Sequence, residues 1–183
     1  VSQTTPRIAP LQPPYAPEIA EQFDRIMRGA PPLVLFRVMA GNARAWEKFR
    51  AGSLLDRGPL GLREREIVID RTCARTRCEY EWGVHVTTFA DAARLTEQQV
   101  RATVRGAATD ACWSEAEQVL IAAVDALHDR ATLNEAEFAA LSAHYNEAQI
   151  FEIILLCGFY RTVSYLANGL ALPLEEKAAR FPE

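Results

Sequence analysis

The sequence predicts an all-α multi-helix bundle, and three observations carry that prediction. Four segments place a capping side chain three residues ahead of Glu or Gln: Thr96 with Gln99, Ser114 with Glu117, Asn134 with Glu137, and Asn146 with Gln149. Apolar residues recur at helical spacing, as in Phe36, Met39, Ala40, Ala43 and Trp46. Hairpin dipeptides of the Asn-Gly or Asp-Gly kind between alternating apolar runs are missing.

The elements follow in order. Residues 1–17 hold five of the ten prolines and read as an extended arm, because proline fixes φ and removes backbone donors. Such an arm either hangs loose or lies across a neighbouring subunit. Residues 18–183 read as a single all-helical domain, with Pro17 opening its first helix. Helices are expected near 17–28, 33–51, 60–74, 78–92, 96–105, 114–129, 134–144 and 146–168, with Gly29, Gly52, Gly58, Gly106 and Gly169 near their ends. The stretch after Asn146 is apolar nearly all round. It is expected either to form the centre of the domain or to bury one face against another subunit.

Composition narrows the function. Hydrophobic residues make up 49% and charged residues 24% of the 183, the balance of an ordinary folded domain. The net charge of −4 disfavours a general nucleic-acid binder, which needs a basic surplus to neutralise phosphates. The longest nearly apolar run, Ile150 to Tyr160, contains Glu152 and falls short of the ~20 residues of a bilayer span, so no membrane association is expected. The four cysteines, at 73, 78, 112 and 157, are too sparse for a disulfide scaffold and read as reduced thiols of a cytoplasmic protein.

The densest chemistry lies in Cys78-Glu79-Tyr80-Glu81-Trp82-Gly83-Val84-His85. On a helix, Cys78, Glu81, Trp82 and His85 share one stripe. A thiol in the first turn is favoured as thiolate by the helix dipole, and histidine suits acid–base work near neutrality. The bland alternative is a core Cys–Trp pair beside a surface Glu–His pair. A metal site is not expected, since only two plausible ligands share the face and no His-Glu-x-x-His spacing occurs. The basic trio Arg71, Arg75 and Arg77 reads as solvated surface charge, and His128 and His144 as histidines complementing helix ends.

The segment around 60–95 resembles the carboxymuconolactone decarboxylase / alkylhydroperoxidase D-like superfamily. Its peroxidase branch carries a glutamate, eleven residues, and then Cys-x-x-Cys-x-x-x-His. Here Glu66 is followed by eleven residues and Cys78; Glu81 stands at the second cysteine position and His85 at the histidine. The run Leu62 to Ile69 matches the family's lead-in helix, and Cys-Glu-Tyr-Glu-Trp-x-x-His looks like a form found in the decarboxylase-like branch. The resemblance implies an alkylhydroperoxidase D-like bundle that assembles as a trimer or hexamer. It also implies a site of Glu66, Cys78, Glu81 and His85, in which Glu66 and His85 relay protons.

Three functions remain open. The expected one is a cofactor-free, metal-free lyase similar to carboxymuconolactone decarboxylase, acting on a small carboxylated molecule, with His85 as general acid and Trp82 as an apolar, substrate-binding wall. The alternative is a thiol-dependent peroxidase. It is weakened because Glu81 cannot form a disulfide, while Cys73, the nearest other thiol, would sit on a different face of a continuous helix. A break near Arg75 to Arg77 would lift that objection. The third is an oligomeric binding protein without turnover.

Overall fold

Capping side chains set most of the element boundaries. In a computed structural model, whose described residues are 5–183, nine helices follow one another and no strand occurs among those residues. They are α1 (Pro17–Met27), α2 (Val34–Met39), α3 (Ala43–Ala51), α4 (Leu62–Arg75), α5 (Glu79–Phe89), α6 (Glu97–Arg105), α7 (Glu115–Arg130), α8 (Glu135–Ser142) and α9 (Glu147–Gly169). All four cap signals are realised. Thr96, Ser114, Asn134 and Asn146 accept from the backbone of Gln99, Glu117, Glu137 and Gln149, whose side chains reach back to the cap residue's own N–H. Each such pair satisfies two donors that a helix start leaves open, worth about 1 kcal/mol per cap.

The expected helix over 33–51 is two helices. The chain turns at Ala40 to Asn42, and the Asn42 side chain accepts from Ala45 N–H at 3.0 Å to start α3 afresh. A fifth asparagine or serine-type cap thus interrupts an apolar pattern that continues through it.

The central helix is α4, not α9. It packs against α5, α6, α7 and α9, and every residue from Glu66 to Cys73 is buried. Four of those eight are polar: Glu66, Asp70, Arg71 and Thr72. Arg71 explains how such a helix tolerates burial: it grips Asp125 of α7 with two bonds of 2.7 Å and donates to the carbonyls of Thr103 and Gly106 at 3.0 Å each. This forked pairing replaces the hydration lost on burial. The expectation of solvated charge therefore fails for Arg71, while Arg75, bonded to Asp129 at 2.6 Å, stays nearer the surface.

α9 is long and apolar enough, by length and composition, to cross a membrane, yet it serves as a core helix. Ile150, Ile153, Leu156, Tyr160, Val163 and Ala167 face inward on α4 and α5. On the other side Phe151 and Leu155 stand 69% and 57% exposed, with Ile154 and Tyr165 beside them.

The two ends of the chain lie on the bundle. Arg7 donates from its backbone to Leu170 O and from its guanidinium to Gly169 O, both at 2.8 Å, and Leu11 N–H reaches Arg37 O at 3.1 Å. The proline-rich segment thus binds its own chain at the end of α9; its first four residues lie outside the described ones. The C-terminal segment straps α5. Ala179 N–H meets Gly83 O and Thr87 Oγ1, Phe181 N–H reaches Glu79 Oε1 at 2.9 Å, and the Phe181 ring stands edge-on to Trp82. A Cβ at position 83 would run into the Ala179 carbonyl, so the close approach of strap and helix requires glycine there.

Candidate active site

The site is built where α4 hands over to α5. α4 closes with Arg77 in the left-handed region at φ 55. Cys78 N–H then bonds Cys73 O at 2.8 Å, and Arg77 N–H bonds Ala74 O at 3.0 Å. These are the two bonds of a Schellman turn. The turn redirects the chain so that α5 starts at Glu79, with Cys78 as its N-cap residue and not part of its first turn.

That redirection sets α5 against α4 with His85 beside Glu66. His85 Nδ1 lies 2.7 Å from Glu66 Oε2, and His85 Nε2 lies 3.4 Å from Glu81 Oε1. Arg65 holds the other oxygen of Glu66 at 2.9 Å. Glu66 and His85 are 1% and 3% exposed. Tyr160 of α9 stands edge-on to the imidazole at 5.0 Å and Phe89 flanks it at 5.3 Å. Three of the four expected catalytic residues, Glu66, Glu81 and His85, therefore form one buried chain of polar contacts, Arg65–Glu66–His85–Glu81.

Burial alone would lower the His85 pKa. The hydrogen bonds to Glu66 and Glu81, with their negative charge, outweigh it and push the value up to about 10. At neutral pH the ring is an imidazolium donating from both nitrogens. The folded state thus holds a proton that the unfolded chain releases near pH ~6.5. Its stabilising contribution is complete below that pH and is lost as pH climbs through about 10. We expect wild-type stability to fall by about 1.4 kcal/mol per unit between pH 7 and 8.5, one proton's worth. Urea unfolding at several pH values should show that slope, and His85→Gln should remove most of it.

Cys78 is fully buried on the same turn. Burial pushes its thiol up to about 11, the amide N–H groups of Glu81 and Tyr80 acting the other way. The expected helix-dipole thiolate is therefore corrected: desolvation wins, and the resting group is a thiol. Its proton needs an acceptor, and Glu81 Oε2 is buried with no hydrogen-bond partner.

Trp82 does not wall this site. Its indole donates to Thr103 Oγ1 at 2.9 Å and packs on Phe181, because one residue of helix turns it about 100° from Glu81 toward α6. His128 is likewise corrected: burial and the nearby Arg161 and Arg75 lower its pKa, so it is no histidinium capping a dipole.

Several residues near the site carried no spacing signal. Asp70, one turn beyond Glu66, is fully buried with both oxygens unpartnered, and burial raises its pKa well above the carboxylate range. It faces the His85–Glu66 cluster. Ser164 of α9 accepts from Thr76 Oγ1 and donates to Tyr160 O, both at 2.7 Å, tying the turn to α9. Asn168 Nδ2 donates to Thr76 O at 3.1 Å. A cleft of about 330 Å³ opens beside this turn between Arg77, Glu79 and Tyr80 on one side and Ala167 and Asn168 on the other. Among the described residues no group of three His, Cys, Asp or Glu side chains is arranged to hold a metal.

The carboxymuconolactone decarboxylase family matches residues 40–125, which contain Glu66, Cys78, Glu81 and His85. No curated protein matches the chain. Among solved structures, an uncharacterized peroxidase-related protein from Silicibacter sp. TM1040 is 20% identical with a TM-score of 0.78, over 100% of this chain and 97% of that one. An uncharacterized peroxidase-related protein from Ralstonia eutropha JMP134, described as an alkylhydroperoxidase AhpD core, is 18% identical with a TM-score of 0.74, over 93% and 94%. The debrominase Bmp8, a cysteine-to-alanine variant in complex with 2,3,4-tribromopyrrole, is 16% identical with a TM-score of 0.77, over 96% and 95%. At these identities the likeness is one of fold. Family match and fold agree in likening the chain to the carboxymuconolactone decarboxylase family and to alkylhydroperoxidase AhpD-type proteins.

Proposed function

We propose that the protein is a thiol-dependent oxidoreductase that reduces organic hydroperoxides, with Cys78 as the attacking thiol. The observation that carries the reading is the unpartnered buried oxygen of Glu81, three residues from Cys78 on a carboxylate that already faces His85. Glu81 takes the thiol proton, and the thiolate attacks the outer oxygen of the hydroperoxide. The O–O bond breaks, Cys78 becomes a sulfenic acid, and the departing alkoxide receives the proton back through the Glu81–His85 couple. The imidazolium, held between Glu66 and Glu81, stabilises negative charge as it develops on the leaving oxygen.

The neighbours support this reading. Two are described as peroxidase-related and one is a debrominase solved with a cysteine replaced, and thiol attack on an electrophile suits both descriptions. The lyase reading draws less support from the site. A carboxylated substrate would enter a cluster that already holds Glu66, Asp70 and Glu81, while Arg65 and His85 are both engaged by Glu66.

The test is consumption of cumene hydroperoxide by the reduced protein with dithiothreitol as reductant. Catalysed consumption above the dithiothreitol rate supports the reading. No consumption, with every thiol still titratable, overturns it. Unsaturated lactone acids and a halogenated pyrrole in the same screen identify the competing chemistries.

The exposed side of α9, centred on Phe151 and Leu155, supports assembly through a second copy of this chain. We expect a trimer or hexamer in light scattering at micromolar concentration; a monomer there rejects it.

A further inference from the structure

We propose that Cys73 is the resolving thiol of this site, closing a disulfide with Cys78 across the Schellman turn. The proposal rests on the hydroperoxide reading above and adds the second thiol that takes Cys78 on from its sulfenic acid. In a Schellman turn the residue two past the last helical cap meets the residue at the third position before the helix end. Here those two residues are Cys78 and Cys73, joined by the 2.8 Å bond from Cys78 N–H to Cys73 O. Standard bond lengths on either side of that bond cap the Cα separation at about 6.7 Å. Disulfides span about 4.4–6.8 Å between Cα atoms. The objection drawn from a continuous helix therefore does not apply, because the helix ends between the two residues.

Further features fit a working pair. Both thiols are fully buried, and Ser164 Oγ lies beside each of them. Thr76, inside the turn, is tied to Ser164 and Asn168, so the loop that must flex on oxidation is anchored on α9. Arg77 and Glu79, the chain neighbours of Cys78, line the cleft beside the turn. Cys73 lies deeper, within α4. Cys78 is thus placed to meet the hydroperoxide and Cys73 to meet Cys78. Cys112 and Cys157 have no part in this turn.

The step balances. Cys78 sulfenic acid and Cys73 thiol condense: the Cys73 sulfur attacks the Cys78 sulfur, the S–O bond breaks, and water leaves with the Cys73 proton. Over both steps two thiols and one hydroperoxide give one disulfide, one alcohol and one water. A dithiol reductant then restores the thiols by exchange.

The test is peptide mapping by mass spectrometry, without reduction, of the whole protein after one equivalent of cumene hydroperoxide, with a parallel arm oxidised by diamide. Loss of two thiols per chain and a peptide pair linking Cys73 to Cys78 is the expected result. Cys73→Ser and Cys73→Ala should then stop at a Cys78 sulfenic acid trapped by dimedone and lose at least tenfold in dithiol-dependent turnover. A wild-type protein that stops at the Cys78 sulfenic acid, or bridges Cys78 to Cys112, Cys157 or a second chain, overturns the proposal. If the hydroperoxide oxidises no thiol, the peroxidase reading fails, and the diamide arm alone decides the pairing: a Cys73–Cys78 bond upholds it and its absence rejects it.

Discussion

Cys78→Ser is expected to abolish hydroperoxide reduction, with a loss of ~10⁴-fold or more, because the residue supplies the electrons and not only a proton. Serine keeps the size and the turn, so circular dichroism and the melting temperature should stay close to wild type. His85→Ala should cost less, ~10²–10⁴-fold, the range of a lost acid–base partner. It should also remove the alkaline limb of the pH–rate profile, since the group that holds its proton up to about 10 is gone. The two variants must be assayed side by side under one reductant. The reverse ranking, with Cys78→Ser nearly active and His85→Ala crippled, would return the chain to the lyase chemistry that the decarboxylase-like wording of the motif suggests. In that case protonation at carbon is the task and the thiol is a spectator.

The helical framework was legible where side chains act on their own backbone. Thr96, Ser114, Asn134 and Asn146 announce their helices, because a cap and its N3 partner lie three residues apart and need no tertiary contact. Asn42 works the same way, but an apolar period that runs on through the turn masked it. The end of α4 was hidden for a different reason. Left-handed caps usually carry glycine, and here Arg77 holds the position, as Arg28, Arg94, Ala131 and Ala171 do elsewhere. The sequence marks the strain of those residues with nothing.

The site divides along the same line. His85 was found from its spacing to Cys78 and Glu81, Glu66 only from the resemblance to the superfamily, and the fold brings the two to 2.7 Å. Trp82 was assigned to the site by a stripe argument that began the helix at Cys78. With Cys78 at the cap, only Glu81 and His85 keep that face. Asp70, Tyr160 and Ser164 were out of reach. Asp70 looks like a surface carboxylate in a helix rich in Glu and Arg, and nothing local says that α7 and α9 cover it. Tyr160 and Ser164 sit in an apolar run about 80–100 residues further on, and only packing reveals which of its faces meets α4. The same packing puts α4, for which no central place was expected, at the middle of the bundle. α4 sits at the centre with its buried Glu66 and Arg71 paired there, whereas the more apolar α9 keeps one side open.

Glu66→Ala is expected to be the most destabilising single change in the site, at about 3–5 kcal/mol, because it strands buried positive charge. Glu66 is the common anion of Arg65 and His85 and is almost wholly buried. With it gone, Arg65 keeps the Leu55 carbonyl but has lost its counter-charge, while His85 gives up its proton and relaxes part of the cost. The protein should therefore recover some stability as pH rises through the neutral range, the opposite slope to wild type. Glu66→Gln separates charge from shape. The amide oxygen still accepts from Nδ1, so folding should suffer less, yet the loss of negative charge lowers the His85 pKa from about 10 toward its ordinary value. The alkaline limb of the pH–rate profile should then shift to lower pH with the acid limb in place. Urea unfolding between pH 6 and 9, paired with rates over the same range, reads both effects. An unchanged pH–rate profile in Glu66→Gln, whatever the stability, would show that Glu66 only fills space beside Arg65 and that the proton held on His85 takes no part in turnover.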